Sequence, residues 1–148
     1  MIKNISNLGD AALYCDFGDE VNKEINSDVI KYFNSIKDLK VSSHLLIKRD
    51  GEVIQFVPFN KRAWHAGKSS FNGVDDCNNF SIGIELEGSD DDYYEEDQYK
   101  VLCSLTSVLM SEYDLITKDR IKGHSDIAPG RKTDPGNLFD WSRYLDNV

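Results

Sequence analysis

The chain has 148 residues, of which 40% are hydrophobic and 29% are charged, a composition typical of a globular protein large enough to bury a core. Its formal net charge of -9 argues against a surface for nucleic acid or anionic lipid, since both require a basic field. No apolar run approaches the roughly 18–20 residues of a membrane span, and the opening MIKNISNLGD lacks the apolar segment of a signal peptide. We therefore expect one domain over residues 1–148, without a membrane partner.

The three cysteines, Cys15, Cys77 and Cys103, are odd in number and widely spaced. This usage suits a reducing cytoplasm better than a disulfide framework. Three buried thiols are the simpler interpretation. A nucleophilic Cys77 is the alternative, although no base stands beside it in the sequence.

The first half of the chain predicts one helix and one hairpin. NSDVIKYFNSI (26–36) has the pattern of a short helix capped by Asn26 or Ser27. SHLLIKRDGEVIQFVP (43–58) places two apolar runs on either side of an Asp-Gly pair, which is a strong signal for a β-hairpin.

The second half predicts a strand followed by a helix. NNFSIGIELEG (78–88) alternates apolar and polar residues, and this period of two indicates a strand. The acidic run GSDDDYYEED (88–97) reads as a solvated loop that leads into a helix with acids in its first turn. Apolar residues then recur every three to four positions and predict a helix over about 97–113. The order of elements implies an α/β fold with a small mixed sheet.

The segment GHSDIAPGRKTDPG (123–136) concentrates polar chemistry in a stretch too rich in Pro and Gly for a long helix or strand. His124 and Asp134 offer a nitrogen and a carboxylate oxygen, both suitable as zinc ligands. Lys132 lies two residues from Asp134, on the same face of an extended chain, where a cation stabilises an oxyanion. Spacing alone leaves a surface loop as the alternative.

Glu85 lies among apolar residues in the predicted strand. Its face of the sheet either points to solvent or lines a cleft, and in a cleft its carboxylate would serve as a general base. In KRAWHAG (61–67), His65 is either a ligand or a packing residue beside Trp64. His44 is interpreted as structural because it begins a strand.

Several of these stretches resemble one enzyme family. The segments at 41–67, 77–88 and 123–136, with FDW at 139–141, resemble the zinc-dependent N-acetylmuramoyl-L-alanine amidases, in particular the cytoplasmic anhydro-muropeptide amidases of the AmpD type. The resemblance covers nearly the whole chain. It implies an α/β fold with a mixed central β-sheet flanked by helices, in a single amidase domain with a shortened N-terminal strand.

The resemblance also implies a function. The expected reaction is zinc-dependent hydrolysis of the amide between N-acetylmuramic or anhydro-muramic acid and L-alanine, in the recycling of peptidoglycan by a cytoplasmic monomer. Six residues match functional positions of the family: His124 and Asp134 as zinc ligands, Glu85 as the residue that activates water, Lys132 as the oxyanion stabiliser, and Asn4 and Trp64 as substrate contacts.

Three positions depart from the family pattern: Lys3, Asp76, and Lys40, which stands where an arginine is usual. The first zinc ligand is a histidine in a motif like VVHNIS, where this chain has MIKNIS, so Lys3 takes the ligand position. A protonated lysine has no lone pair for a metal. Asp76 stands where we expect a basic residue. The expected function is therefore an amidase with weak or rescued zinc binding, and the alternative is a degenerate homologue that at most binds muropeptides.

Overall fold

The computed structural model describes residues 41–148. Residues 1–40 lie outside the described residues, and so do the helix predicted over 26–36 and the positions of Lys3 and Asn4.

A three-stranded mixed sheet forms the centre of the described region. It consists of β1 (Leu45–Ile47), β2 (Val53–Gln55) and β5 (Ile84–Leu86), in the order β2-β1-β5. β1 and β2 are antiparallel, which confirms the hairpin predicted at the Asp-Gly pair, whereas β1 and β5 are parallel. The predicted mixed sheet is therefore confirmed.

A second, two-stranded ribbon joins β3 (Ser70–Phe71) to β4 (Val74–Asp75). Asn72 and Gly73 connect the strands with φ of 51° and 80°. Two positive φ angles at an Asn-Gly pair are the signature of a tight hairpin turn. The sequence contained this signal, but the ribbon was not predicted.

Three helices follow the sheet in the chain. α1 (Glu96–Glu112) lies within one residue of the predicted bounds, with Glu96 and Asp97 as the acids of its first turn. α2 (His124–Ile127) and α3 (Trp141–Asp146) are short. Single 3₁₀ turns lie at Cys77–Asn79 and Lys118–Arg120.

β5 is shorter than the strand predicted over 78–88. The ladder does not extend to Gly83, because the Gly83 N–H donates to His44 Nδ1 at 3.0 Å rather than to a strand carbonyl. The other nitrogen of His44, Nε2, lies 3.0 Å from the carbonyl of Lys61. The buried His44 ring therefore ties two loops together, in agreement with the structural role expected for it.

The core of the described region lies between the sheet and α1. It joins Ile47 of β1 to Tyr99 and Leu102 of α1 and to Phe139 and Tyr144 near the C-terminus. The Tyr144 hydroxyl is 2.6 Å from the Thr106 hydroxyl, so this buried polar pair is satisfied. Aromatic packing thus attaches the C-terminal segment to the sheet and to α1. Within residues 41–148, no helix has the length and apolar character needed to cross a lipid bilayer.

The His65 ring packs closely against Gly83. A Cβ added to Gly83 would come within 2.2 Å of the His65 ring, so the close approach requires glycine. Burial, reinforced by the nearby His44, lowers the pKa of His65 to about 4. The ring is therefore neutral in the folded protein at pH 7.

We predict that His65 makes the protein less stable in weak acid. In the unfolded chain His65 has a pKa near 6.5, so the unfolded state takes up a proton at a higher pH than the folded state does. The free energy of unfolding therefore keeps its full His65 contribution above pH 6.5 and falls by up to about 3 kcal/mol as the pH drops towards 4. Urea unfolding at pH 7 and 4.5 should show a smaller drop in His65→Asn than in the wild type. Equal drops in the two proteins would contradict the assignment.

Candidate active site

His124 and Asp134 converge, although ten residues separate them. His124 begins α2, and the chain then turns back so that Asp134 Oδ2 lies 3.0 Å from His124 Nδ1. The Ser125 N–H donates to the Asp134 carbonyl at 3.0 Å and closes this loop. The two side chains therefore share one space, as expected for two ligands of one ion.

Glycine permits this geometry at the start of α2. A Cβ on Gly123 would lie 2.8 Å from Pro135 Cδ and 3.2 Å from the Trp141 ring. The Gly123 N–H donates to the Asp126 carboxylate at 2.9 Å, which caps the single helical turn. The segment thus contains one turn of helix, between two tightly packed loop regions.

The pair is electrostatically coupled. The hydrogen bond between the two side chains raises the pKa of His124 and lowers the pKa of Asp134. Lys132 Nζ lies 3.9 Å from Asp134 Oδ1, with its side chain partly exposed. The Lys132 ammonium group therefore lies near the Asp134 oxygen that does not contact His124.

Glu85 lies close enough to His124, Lys132 and Asp134 to interact with them electrostatically. Burial raises the pKa of Glu85, and repulsion by the Asp134 carboxylate raises it further, whereas His124 and Lys132 oppose the rise. In β5 its neighbours Ile84 and Leu86 pack against the core, so Glu85 projects to the opposite face. The structure brings together four of the six residues singled out in the sequence.

The donor atoms fit a zinc ion. Two ligands about 2.0–2.1 Å from one zinc, at a tetrahedral angle, lie roughly 3.3 Å apart, and His124 Nδ1 and Asp134 Oδ2 lie 3.0 Å apart. His124 Nε2 is 2.9 Å from the carbonyl of Ala66, the outer hydrogen bond common to metal-binding histidines. Within residues 41–148 no group of three or more His, Cys, Asp or Glu side chains forms a complete ligand set.

Trp64 is held by its neighbours. The Arg62 guanidinium carbon lies 3.4 Å from the centroid of the Trp64 ring. The same guanidinium donates to both carboxylate oxygens of Asp76, at 2.9 and 3.1 Å, and to Asn79 at 2.7 Å. Asp76, which departs from the expected basic residue, thus fixes Arg62 against one face of the indole.

The acidic run contacts the loop that carries Asp134. The Thr133 hydroxyl donates to the Asp90 carboxylate, and the Tyr94 hydroxyl donates to the Pro135 carbonyl at 2.9 Å. Gly136 approaches so closely that an added Cβ would lie 2.5 Å from the Asp90 carbonyl oxygen. Part of this run therefore supports the site, in addition to leading into α1.

The remaining histidines of the described region have other partners. His44 is fully buried between two loops, and His65 packs on Gly83, 5.6 Å from the His44 ring. Neither joins His124 and Asp134 in a metal-binding group.

Comparison with known proteins identifies the family of the chain. A family model described as N-acetylmuramoyl-L-alanine amidase matches residues 9–137. The chain belongs to the N-acetylmuramoyl-L-alanine amidase family.

Individual relatives give the same family. The 1,6-anhydro-N-acetylmuramyl-L-alanine amidase AmpD of Haemophilus influenzae is 52% identical over 84% of this chain and 68% of its own length. A crystal structure of a selenomethionine derivative of AmpD superposes with a TM-score of 0.73 at 52% identity, covering 84% of this chain and 69% of that one.

A more distant relative was solved with substrate. The amidase AmiD from Escherichia coli, in complex with anhydro-N-acetylmuramic acid-L-Ala-D-γ-Glu-L-Lys, gives a TM-score of 0.73 at 32% identity, over 82% of this chain and 53% of that one. The chain spans about two thirds of the length of the AmpD relatives, 68% and 64% for the proteins of Haemophilus influenzae and Enterobacter cloacae.

The sequence interpretation missed three residues that organise the site. Arg131 contacts the loop beside His124, Arg62 stacks on Trp64, and Asn78 accepts the N–H groups of His65 and Ala66 at 2.9 and 2.8 Å. Arg131 lies within the polar segment 123–136, and its place in that segment was the one indication of a role that the sequence offered. The roles of the other two depend on tertiary contacts that no local pattern encodes.

We predict that Arg62→Met changes the environment of Trp64. Loss of the stacked cation removes an interaction worth about 0.5–2 kcal/mol and exposes the covered indole face. A red shift of tryptophan emission is expected, and it should vanish in a Trp64→Phe background because Trp141 is then the remaining tryptophan. Arg62→Lys, which keeps the charge without the planar fork, should give a smaller shift. Identical spectra for wild type and Arg62→Met would contradict the stacking.

Proposed function

We propose that this chain is an amidase that hydrolyses the bond between the lactyl group of muramic or anhydro-muramic acid and L-alanine in muropeptides. The observation that carries the proposal is the convergence of His124 and Asp134 beside Glu85 and Lys132, in a chain that belongs to this amidase family. The AmpD relatives, which are 1,6-anhydro-N-acetylmuramyl-L-alanine amidases, and the muropeptide in the AmiD complex support the choice of substrate.

His124, through Nδ1, and Asp134, through its carboxylate, are the residues that would hold zinc. Their chemistry suits zinc, which accepts both nitrogen and oxygen ligands. When bound, zinc supplies a Lewis acid that polarises the scissile carbonyl and favours deprotonation of the attacking water. A further protein ligand would have to come from outside the described residues, because no third side chain joins the pair within them.

Glu85 is proposed as the general base. Its partly buried carboxylate lies close enough to both zinc-binding residues to interact electrostatically with them, and β5 holds it on a regular backbone. It would accept a proton from the attacking water and later donate that proton to the departing amine nitrogen of L-alanine.

Lys132 is proposed to stabilise the negative charge that develops on the carbonyl oxygen. Its ammonium group lies beside Asp134 and remains partly exposed, so it would be accessible to a substrate bound beside this pair. Charge stabilisation at this point lowers the barrier because the charge appears only as the tetrahedral species forms.

Trp64 and Asn4 are proposed to contact the substrate. One face of the Trp64 indole is covered by Arg62, so the opposite face is the one left for an apolar sugar surface. Asn4 is assigned from the family resemblance, since it lies outside the described residues.

We further propose a cytoplasmic monomer that acts on muropeptides without a nucleic acid or membrane partner. The AmpD resemblance and the free thiols of Cys77 and Cys103 favour a reducing compartment. The net charge of -9 disfavours polyanionic partners.

A degenerate homologue that binds muropeptides without cleaving them is the second candidate. The specific observation in its favour is Lys3 at the position of the first zinc ligand. Zinc content and muropeptide cleavage, measured on the same preparation, separate the two candidates.

We predict that Glu85→Gln lowers kcat by at least about 100-fold and changes KM little, because general-base catalysis typically contributes 10²–10⁴-fold. Cleavage of an anhydro-muropeptide, followed by chromatography, measures both constants. Glu87→Gln is the matched control, since Glu87 lies two residues away and accepts the Arg49 N–H at 2.9 Å; its kcat should stay near wild type. Unchanged kcat in Glu85→Gln would remove Glu85 from the mechanism.

We predict that Lys3→His tightens zinc binding. Removal of an ammonium group relieves repulsion of the ion, on the order of several kcal/mol at close range, and the imidazole adds a donor. Competition with a coloured chelator measures the Kd, and Lys100→His on the exposed surface of α1 is the control. Equal affinity of wild type and Lys3→His would show that Lys3 does not limit zinc binding.

A further inference from the structure

Arg131 reaches back to a loop more than sixty residues earlier in the chain. Its Nη2 donates to the Ala66 carbonyl at 2.6 Å, and its Nε donates to the Lys68 carbonyl at 3.0 Å. The planar guanidinium can satisfy both acceptors at once because its donors have a fixed fork geometry. Arg131 therefore fixes the backbone of residues 66–68.

The Ala66 carbonyl is shared with His124. His124 Nε2 lies 2.9 Å from this oxygen and 3.2 Å from Arg131 Nη2. A guanidinium has donors and no acceptor, so the consistent assignment has both Nε2–H and Nη2–H donating to the two lone pairs of Ala66. With Nε2–H donating to Ala66, Nδ1 is the nitrogen that would bind a metal, in place of the hydrogen bond that it makes to Asp134.

The backbone N–H of Ala66 is held as well. Its N–H donates to Asn78 Oδ1 at 2.8 Å, and the residue is fully buried. Gly67 follows with φ of +56°, and a Cβ there would lie 3.3 Å from the guanidinium nitrogens. Asn78 holds the Ala66 N–H and Arg131 holds the Ala66 carbonyl, so the position of the carbonyl that faces His124 is fixed.

We propose that Arg131 is a positioning residue for the metal site: by holding the Ala66 carbonyl, it fixes the orientation and the tautomer of His124. This inference rests on the proposed function, since it concerns His124 as a zinc-binding residue. Arg131 contributes through its hydrogen bonds rather than through its charge, because a cation next to the imidazole opposes the binding of a second cation. Loss of such outer partners typically weakens metal binding 10–100-fold.

The test compares zinc affinity in the purified wild type, Arg131→Met, Arg131→Lys and Arg120→Met, each over residues 1–148. Chelator competition should show 10–100-fold weaker binding in Arg131→Met, an intermediate value in Arg131→Lys, and wild-type binding in Arg120→Met, since Arg120 is an exposed arginine in a separate 3₁₀ turn. Thermal melts of the same samples verify that each variant is folded.

A second readout separates positioning from general stability. In zinc-loaded wild type, the Nε2–H of His124 should give a ¹H–¹⁵N NMR signal protected from water exchange, and Arg131→Met should lose that protection while retaining its other core signals. Equal affinity and equal protection in wild type and Arg131→Met would overturn this inference and leave the proposed function intact. Failure of the wild type to bind zinc would overturn the proposed function, and this inference with it.

Discussion

The contact between His124 and Asp134 is the interaction on which the rest of the site depends. A histidine nitrogen and a carboxylate oxygen 3.0 Å apart form either a simple ion pair or two ligands of one metal ion. The neighbouring groups favour the proposed metal site over the ion pair. The outer nitrogen of His124 already has a backbone acceptor in Ala66, as metal-binding histidines usually do. Glu85 interacts electrostatically with both residues of the pair, and Lys132 lies beside Asp134, which suits the base and the oxyanion stabiliser proposed for them.

Packing near the C-terminus holds Asp134 in contact with His124. Phe139 packs among Tyr94, Tyr99, Trp141 and Tyr144, three of them edge to face, with ring centroids 4.8–5.7 Å away, so the residues just after Asp134 are anchored to α1. Such aromatic packing is directional as well as apolar. The acidic run adds polar contacts to the same loop, and Arg131 adds the long connection to residues 66–68. A site built mostly from loops is thereby held by a rigid core, as catalytic groups require.

The elements that followed from the sequence are those whose signals are local. The hairpin around the Asp-Gly pair and α1 have strong periodicity, and both formed where expected. β5 fell short of its predicted length because the His44 side chain replaces a strand partner at Gly83, a contact between residues 39 apart. His124, Asp134, Glu85 and Lys132 were singled out by motif, whereas Arg131 was not, because its meaning depends on carbonyls that only the folded chain brings near.

The most direct test of the central claim is a crystal structure of the protein grown with zinc, with diffraction data collected on both sides of the zinc absorption edge. We expect one strong anomalous peak within bonding distance of His124 Nδ1 and the Asp134 carboxylate. A zinc-saturated crystal with no peak there, and with the His124–Asp134 hydrogen bond still in place, would contradict it.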